Sequence, residues 1–173
     1  YVYPFIYDNY RGDIDYDPAQ ISRVSLDIEV DIANDSGFPD IRAADNAITL
    51  ITISRDGKKA VFGCGEFINI DPDNIQYFKC TDEIALLKSF IEVWNSVEFS
   101  PDIITGWNIE WFDIPYTVNR IMKILGESYA KRLSPWMQLQ ERLVEVMGKE
   151  NQTYTIVGIA TLDYLQLYKK FAF

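Results

Sequence analysis

Two carboxylates stand two residues apart in Asp27-Ile28-Glu29-Val30, and a third, Asp113, arrives much later in Phe112-Asp113-Ile114-Pro115-Tyr116. Side chains alternate along a strand with period two, so Asp27 and Glu29 project from one face. Like charges held together are unfavourable unless a cation or open water neutralises them. Such a trio can hold hard divalent ions for phosphate chemistry. Each member also has a plain structural reading. Every residue on that strand face from Arg23 to Asp31 is polar, as on the wet side of an antiparallel strand. Asp113 stands at the cap position of a helix, a common place for Asp.

The elements that must position these groups are legible in outline. Val24, Leu26, Ile28, Val30 and Ile32 alternate with Arg23, Ser25, Asp27, Glu29 and Asp31, which predicts a strand. The breakers from Asn34 to Asp40 predict a loop. Ala47 to Ile53 and Lys59 to Cys64 read as two strands joined by a hairpin turn centred on Asp56-Gly57. A polar stretch through Asp71-Pro72-Asp73 follows. Asp82 and Glu83 then open a helical repeat of Leu86, Leu87, Phe90, Ile91 and Trp94. Pro101 to Thr105 is a short strand ended by Gly106. Ile114 to Leu125 is a helix with Asp113 at its cap, Pro115 in its first turn and Gly126 at its end. Leu139 to Val146 and Gln152 to Val157 flank Gly148 as a second hairpin, and Leu162 to Phe171 is helical. This succession predicts the α/β class, a mixed sheet covered by helices. Residues 1–20, rich in Tyr and Asp, read as a linker or the tail of a preceding domain, with one domain over 21–173. The opening lacks an initiator Met, as expected of a piece of a longer protein.

Composition narrows the chemistry. The 173 residues contain no histidine, which removes Ser-His and Cys-His nucleophilic schemes and imidazole zinc sites. Cys64 and Cys80 lack zinc-knuckle spacing and read as reduced, structural residues. No apolar run approaches the roughly 20 residues of a membrane span, and no signal peptide is recognisable. The net charge of −10 argues against a general nucleic-acid surface. It is unevenly spread. Residues 1–113 hold 8 Lys/Arg against 21 Asp/Glu, a balance of −13, whereas residues 114–173 hold 8 against 5, a balance of +3. Solvated helix faces account for that asymmetry from charge alone.

Two further segments carry residues of functional type. The acidic run Asp13-Ile14-Asp15-Tyr16-Asp17 is similar to a calcium loop, but Pro18 and Val24 occupy the positions where an EF-hand needs Gly and Glu. It is rejected as a metal site. Phe38, between Gly37 and Pro39, either folds onto the core or stacks on an unpaired base, a contact worth about 1–3 kcal/mol.

Asp27-Ile28-Glu29-Val30 resembles the first exonuclease motif of family B DNA polymerases. Thr105-Gly106-Trp107-Asn108, continued through Phe112-Asp113-Ile114-Pro115-Tyr116, resembles the second. The segments Gly126-Glu127-Ser128, Ala130-Lys131-Arg132-Leu133-Ser134-Pro135, Leu162-Asp163-Tyr164 and Tyr168-Lys169-Lys170-Phe171 are similar to the T-even-phage type, so the likeness runs from about Tyr16 to the last residue. The resemblance implies a ribonuclease-H-like fold with an inserted β-hairpin, truncated at its C-terminus. It implies the 3′→5′ proofreading exonuclease of a DNA-directed DNA polymerase, acting on single-stranded 3′ ends. Asp27 would bridge two Mg²⁺ or Mn²⁺ ions, Glu29 would ligate one, and Asp113 would serve the second. Two ions roughly 3.5–4 Å apart can activate water and stabilise a leaving 3′ oxygen. By the same carry-over, Asn108 would help place the strand end and Phe38 would stack on the frayed primer terminus. Trp107, Phe112 and Arg142 are further expected DNA contacts, Arg142 on the hairpin (Arg142 to Thr153) that helps separate primer from template.

The implied partners are the primer 3′ end, the remainder of a polymerase chain and replisome proteins, with no membrane. The implied place is the host-cell cytoplasm of a phage, without secretion. The family's third motif, a Tyr and an Asp on a later helix, is expected beyond Phe173. Asp163 lies too early and in a different local pattern. The 173 residues alone are therefore expected to show little or no activity. Two other readings stand beside the enzyme: a non-catalytic guide for single-stranded DNA, and an interaction module whose acidic half docks a replication protein.

Overall fold

The computed structural model describes residues 2–10, 12, 17–32, 37–146 and 148–171. In chain order the elements are α1 (Val2–Asn9), a 3₁₀ turn at Pro18–Gln20, β1 (Arg23–Val30), β2 (Ile48–Arg55), β3 (Lys58–Gly63), β4 (Ile75–Lys79), α2 (Glu83–Trp94), β5 (Ile103–Gly106), α3 (Asp113–Leu125), α4 (Glu127–Lys131), β6 (Leu139–Val146), β7 (Lys149–Ile156), β8 (Ala160–Asp163) and α5 (Tyr164–Phe171). Six strands form one mixed sheet in the order β4-β3-β2-β1-β5-β8. The β1–β2 and β2–β3 pairs are antiparallel; β3–β4, β1–β5 and β5–β8 are parallel. This is the mixed sheet flanked by helices that a ribonuclease-H-like exonuclease fold requires. Strands β6 and β7 form a separate two-stranded hairpin.

The period-two pattern of β1 sorts its residues as the sequence predicts. Val24, Leu26 and Ile28 are buried, and Arg23, Asp27 and Glu29 are exposed. Register then carries apolar rows across the sheet. Ile28 lies opposite Ile51, Ile51 opposite Phe62, and Phe62 opposite Phe78. Helix α2 presents Leu86, Leu87, Phe90, Ile91 and Trp94 to this face, and Phe62 meets Phe90 edge-on at 6.0 Å between centroids. Each such side chain removed from water stabilises the fold by about 1.5–3 kcal/mol. Ile114, Val118 and Ile121 of α3 join the same core. The Trp94 indole N–H is not left unpaired; it donates to the Leu133 carbonyl at 2.9 Å. At the β2–β3 turn Asp56 and Gly57 both have positive φ, 51° and 87°, as a two-residue hairpin turn demands.

Several elements differ from expectation. Residues Ile75–Lys79 form an edge strand, β4, because parallel pairing with distant β3 satisfies a segment whose own alternation is weak. Helix α1 occupies part of the segment read as a linker, and its side chains from Pro4 to Asn9 are exposed. Short α4 follows Gly126 directly, and β8 precedes α5 where one helix was expected. Helix α3 begins at Asp113 itself, with Phe112 in the cap position and no side-chain cap bond. Asp113 is thus not the capping residue; its carboxyl oxygen is engaged by β1 instead. The acidic run at 13–16 and the loop residues 33–36 lie outside the described residues, and Asp17 caps the 3₁₀ turn through the Ala19 N–H at 2.9 Å.

One buried ion pair fastens the site side of the fold. Arg120 of α3, 7% exposed, donates from Nε and Nη2 to the two carboxyl oxygens of Glu83 at 2.8 and 2.6 Å. Its Nη1 donates to the carbonyls of Ala44 and Asp45 at 2.8 and 2.9 Å. Glu83 also accepts the Ile48 N–H at 2.8 Å. The start of α2, the middle of α3 and the entry to β2 therefore share one charge network. Removing a single partner leaves the other charge buried and unpaired, at a cost of about 3–5 kcal/mol. Arg120→Met is expected to lose that much stability in urea unfolding, whereas Lys58→Ala, which breaks the exposed pair with Glu98, changes little. Equal midpoints for the two variants would contradict this account.

Candidate functional site

The site lies where β5 stops and β1 continues. The two strands pair in parallel only from Arg23↔Ile103 to Ser25↔Thr105. Gly106 then turns away so close to β1 that a Cβ would sit 2.7 Å from the Leu26 carbonyl oxygen and 2.4 Å from Ile109 Cγ2. Main-chain groups two residues apart on a strand face the same edge. The Ile28 N–H therefore faces the edge that β5 has just vacated, and a buried unpaired donor there would be costly. Asp113 supplies the acceptor: its Oδ1 lies 3.1 Å from the Ile28 nitrogen. Ile28 is the residue between Asp27 and Glu29, so this bond sets the Asp113 carboxyl against the strand segment that carries the other two.

The electrostatics follow from that placement. Asp113 is 5% exposed. Burial pushes its carboxyl up to about 7; the Ile28 N–H opposes the rise, and the nearby carboxylates Asp27 and Asp163 add to it. Asp27 and Glu29 are exposed. At Glu29 the β1–β2 register shifts, with Glu29 opposite Leu50 and Val30 opposite Ile48. Such bulges re-aim side chains at the ends of pairing. Among the described residues no three acidic, His or Cys side chains are arranged closely enough to hold a metal ion. The donor set nonetheless suits one: oxygen ligands only, one of them buried, raised and facing other carboxylates. A divalent cation would relieve the cost of ionising Asp113.

The other expected contact residues lie on or against the segment from Trp107 to Phe112. Phe38 is 74% exposed, yet its ring stands 4.8 Å from that of Phe112 between centroids, and Phe112 is 5.5 Å from Tyr116. It rests on the residue before Asp113 while keeping most of its surface open. Trp107, 60% exposed, faces Tyr168 of α5 at 6.0 Å. Asn108 adopts φ of 62°, and its N–H is held by Asp163 Oδ1 at 3.0 Å. Arg142 is committed to Glu110 at 2.6 Å. The hairpin it belongs to is seated on the same segment, because the Thr153 hydroxyl donates to the Glu110 carbonyl at 2.6 Å. Tyr154 donates to Asn119 of α3, also at 2.6 Å. Sequence reasoning missed Glu110 and set Asp163 aside as too early for the third motif. The one signal for Glu110 was its place between the two halves of the second motif. A groove of about 450 Å³ lined by Lys58, Lys59, Asn74, Tyr77 and Glu98 lies at the opposite end of β3 from Gly63, away from these residues.

The model of the DNA polymerase family B exonuclease domain matches residues 6–173. The chain belongs to this family. As a family B exonuclease domain it is 35% identical over 195 residues to the DNA-directed DNA polymerase of Escherichia phage RB69. It is 34% identical over the same length to that of Enterobacteria phage T4. Each match covers 98% of the chain and 21% of the relative, so the chain spans about a fifth of the length of these polymerases. The DNA polymerase delta catalytic subunit of Plasmodium falciparum is 32% identical over 106 residues, 56% of the chain and 9% of the relative. Among the described residues no helix is long and apolar enough to cross a membrane.

The raised Asp113 sets a pH dependence. Between its ordinary value of 3.8 and about 7 the folded chain keeps a proton that the unfolded chain has released. The folded state binds more protons there, so stability falls as pH rises through that window and levels off above it. With divalent ions chelated, Asp113→Asn keeps an acceptor for Ile28 and removes the cost of ionisation. It is expected to match the native domain near pH 4 and to exceed it at pH 8 by up to about 4 kcal/mol in denaturant unfolding. Parallel pH profiles for the two proteins would refute the assignment.

Proposed function

We propose that this domain is the 3′→5′ proofreading exonuclease portion of a DNA-directed DNA polymerase, hydrolysing the terminal phosphodiester of an unpaired 3′ end. The observation that carries the reading is the Asp113–Ile28 bond, which places a buried carboxyl against the strand segment bearing Asp27 and Glu29. Asp27, Glu29 and Asp113 would hold Mg²⁺ or Mn²⁺ in a two-ion arrangement. When bound, the ions would supply Lewis-acid polarisation of the phosphate and neutralise charge developing on the leaving oxygen.

The chain's own residues do the rest. Asp113, its carboxyl raised to about 7 by burial, would ionise more readily with a cation beside it, which couples the site's charge to its loading. Phe38, propped on Phe112 with most of its ring open, offers a stacking face to the last unpaired base. Asn108, in a left-handed turn with its N–H held by Asp163, would orient the strand end. The β6–β7 hairpin, seated on Glu110, would keep the template strand from following. DNA, the remaining polymerase chain and replication in a phage-infected host belong to the same proposal. The 173 residues alone are expected to degrade DNA weakly or not at all.

In the full-length polymerase, Asp27→Ala and Asp113→Ala are each expected to lower degradation of a single-stranded oligonucleotide by at least about 100-fold, roughly 3 kcal/mol of transition-state stabilisation, with primer extension retained. Mg²⁺ is expected to raise the thermal midpoint of the native domain at pH 8 and to leave that of Asp113→Asn unmoved. Undiminished degradation by Asp27→Ala would reject the nuclease reading.

A further inference from the structure

Asp163 is a buried carboxylate that the proposed chemistry does not use. It ends β8 opposite Gly106 in the β5–β8 pair and is 4% exposed. Its oxygens accept three main-chain N–H groups: Oδ1 from Asn108 at 3.0 Å and Leu165 at 2.8 Å, and Oδ2 from Glu110 at 3.0 Å. The Leu165 bond has an ordinary cause, since it satisfies a free donor in the first turn of α5. The other two have no local cause. They reach back across the sequence to the turn between β5 and α3 and hold both of its ends.

That turn needs holding. Gly106 is pressed against the Leu26 carbonyl, and Asn108 is in the left-handed region at φ of 62°. From the far end, Glu110 receives the hairpin through Thr153 and Arg142, and three residues later Asp113 meets the Ile28 N–H. Every expected site group that comes after β5 hangs from this turn.

We propose that Asp163 is the positioning residue of the nuclease site, its carboxylate locking the Trp107–Glu110 turn so that Asn108 and Asp113 meet β1 in register and the hairpin keeps its seat. The proposal rests on the nuclease reading above. A carboxylate suits the task because it has acceptors alone, enough for three donors. An amide of the same shape must turn an NH₂ group toward at least one of the same N–H groups.

The test uses Asp163→Asn in the full-length polymerase, with hydrogen exchange followed peptide by peptide. Exchange is expected to quicken at 107–112 and to stay unchanged in α2. The kcat for a single-stranded oligonucleotide is expected to fall about 10–100-fold, the range seen when a supporting partner of site ligands is lost. Its KM and the rate of primer extension should change by less than about threefold. A native kcat with quickened exchange at 107–112 overturns the proposal and leaves the nuclease reading intact. Exchange raised equally in α2 marks Asp163 as merely structural and also overturns it. If Asp163→Asn does not fold, Asp163→Ser, which retains one acceptor and has no NH₂ group, is read by the same criteria. Asp27→Ala in the same protein separates the two ideas, since retained exonuclease there rejects the nuclease reading itself.

Discussion

The bond between the Asp113 carboxyl and the Ile28 N–H is the contact on which the site depends. It arises because β5 is short and β1 is long. Once Gly106 leaves the sheet, β1 has an interior edge with no strand beside it, and its main-chain donors still need acceptors. An aspartate at the first residue of α3 meets that need and is buried in doing so. A backbone requirement thus holds a titratable group beside two others. The unfavourable burial is tolerated because the same carboxyl completes the sheet edge.

The parts around this bond are tied by charge as much as by apolar packing. Arg120 and Glu83 fasten α3 to α2 and to the segment entering β2, while Glu110 fastens the hairpin to the turn before Asp113. The basic excess after residue 113 is largely consumed this way. Arg120, Lys123, Lys131, Arg132 and Arg142 each pair with a carboxylate. All but Lys131, whose partner is Glu127, tie the basic part of the domain to carboxylates of its acidic part more than they form a phosphate-binding stripe. An acidic domain that handles DNA is consistent with this, because the grip proposed here comes from cations and an aromatic face at one point rather than from a broad basic surface.

What was legible in the sequence was whatever follows from local pattern. The alternation in β1, the Asp56-Gly57 turn, the apolar face of α2 after its acidic opening, and the hairpin around Gly148 all have short-range causes, and the structure contains each of them. Edge strand β4 was not legible, because Ile75–Lys79 becomes a strand only through its pairing with β3. The grouping of Asp27, Glu29 and Asp113 as one motif set was legible through family likeness. On their own spacing they remained a wet strand face and a helix cap.

The residue types of the trio, the lack of histidine and the strand that carries Asp27 and Glu29 were determined by the sequence alone. Tertiary structure decided that Asp113 turns from capping its own helix to closing the edge of β1, and that Asp163 and Glu110 hold the intervening turn. The physical reason is the same in each case. A carboxylate's role is set by which buried N–H groups lack a partner, and in this fold those donors belong to segments distant in sequence.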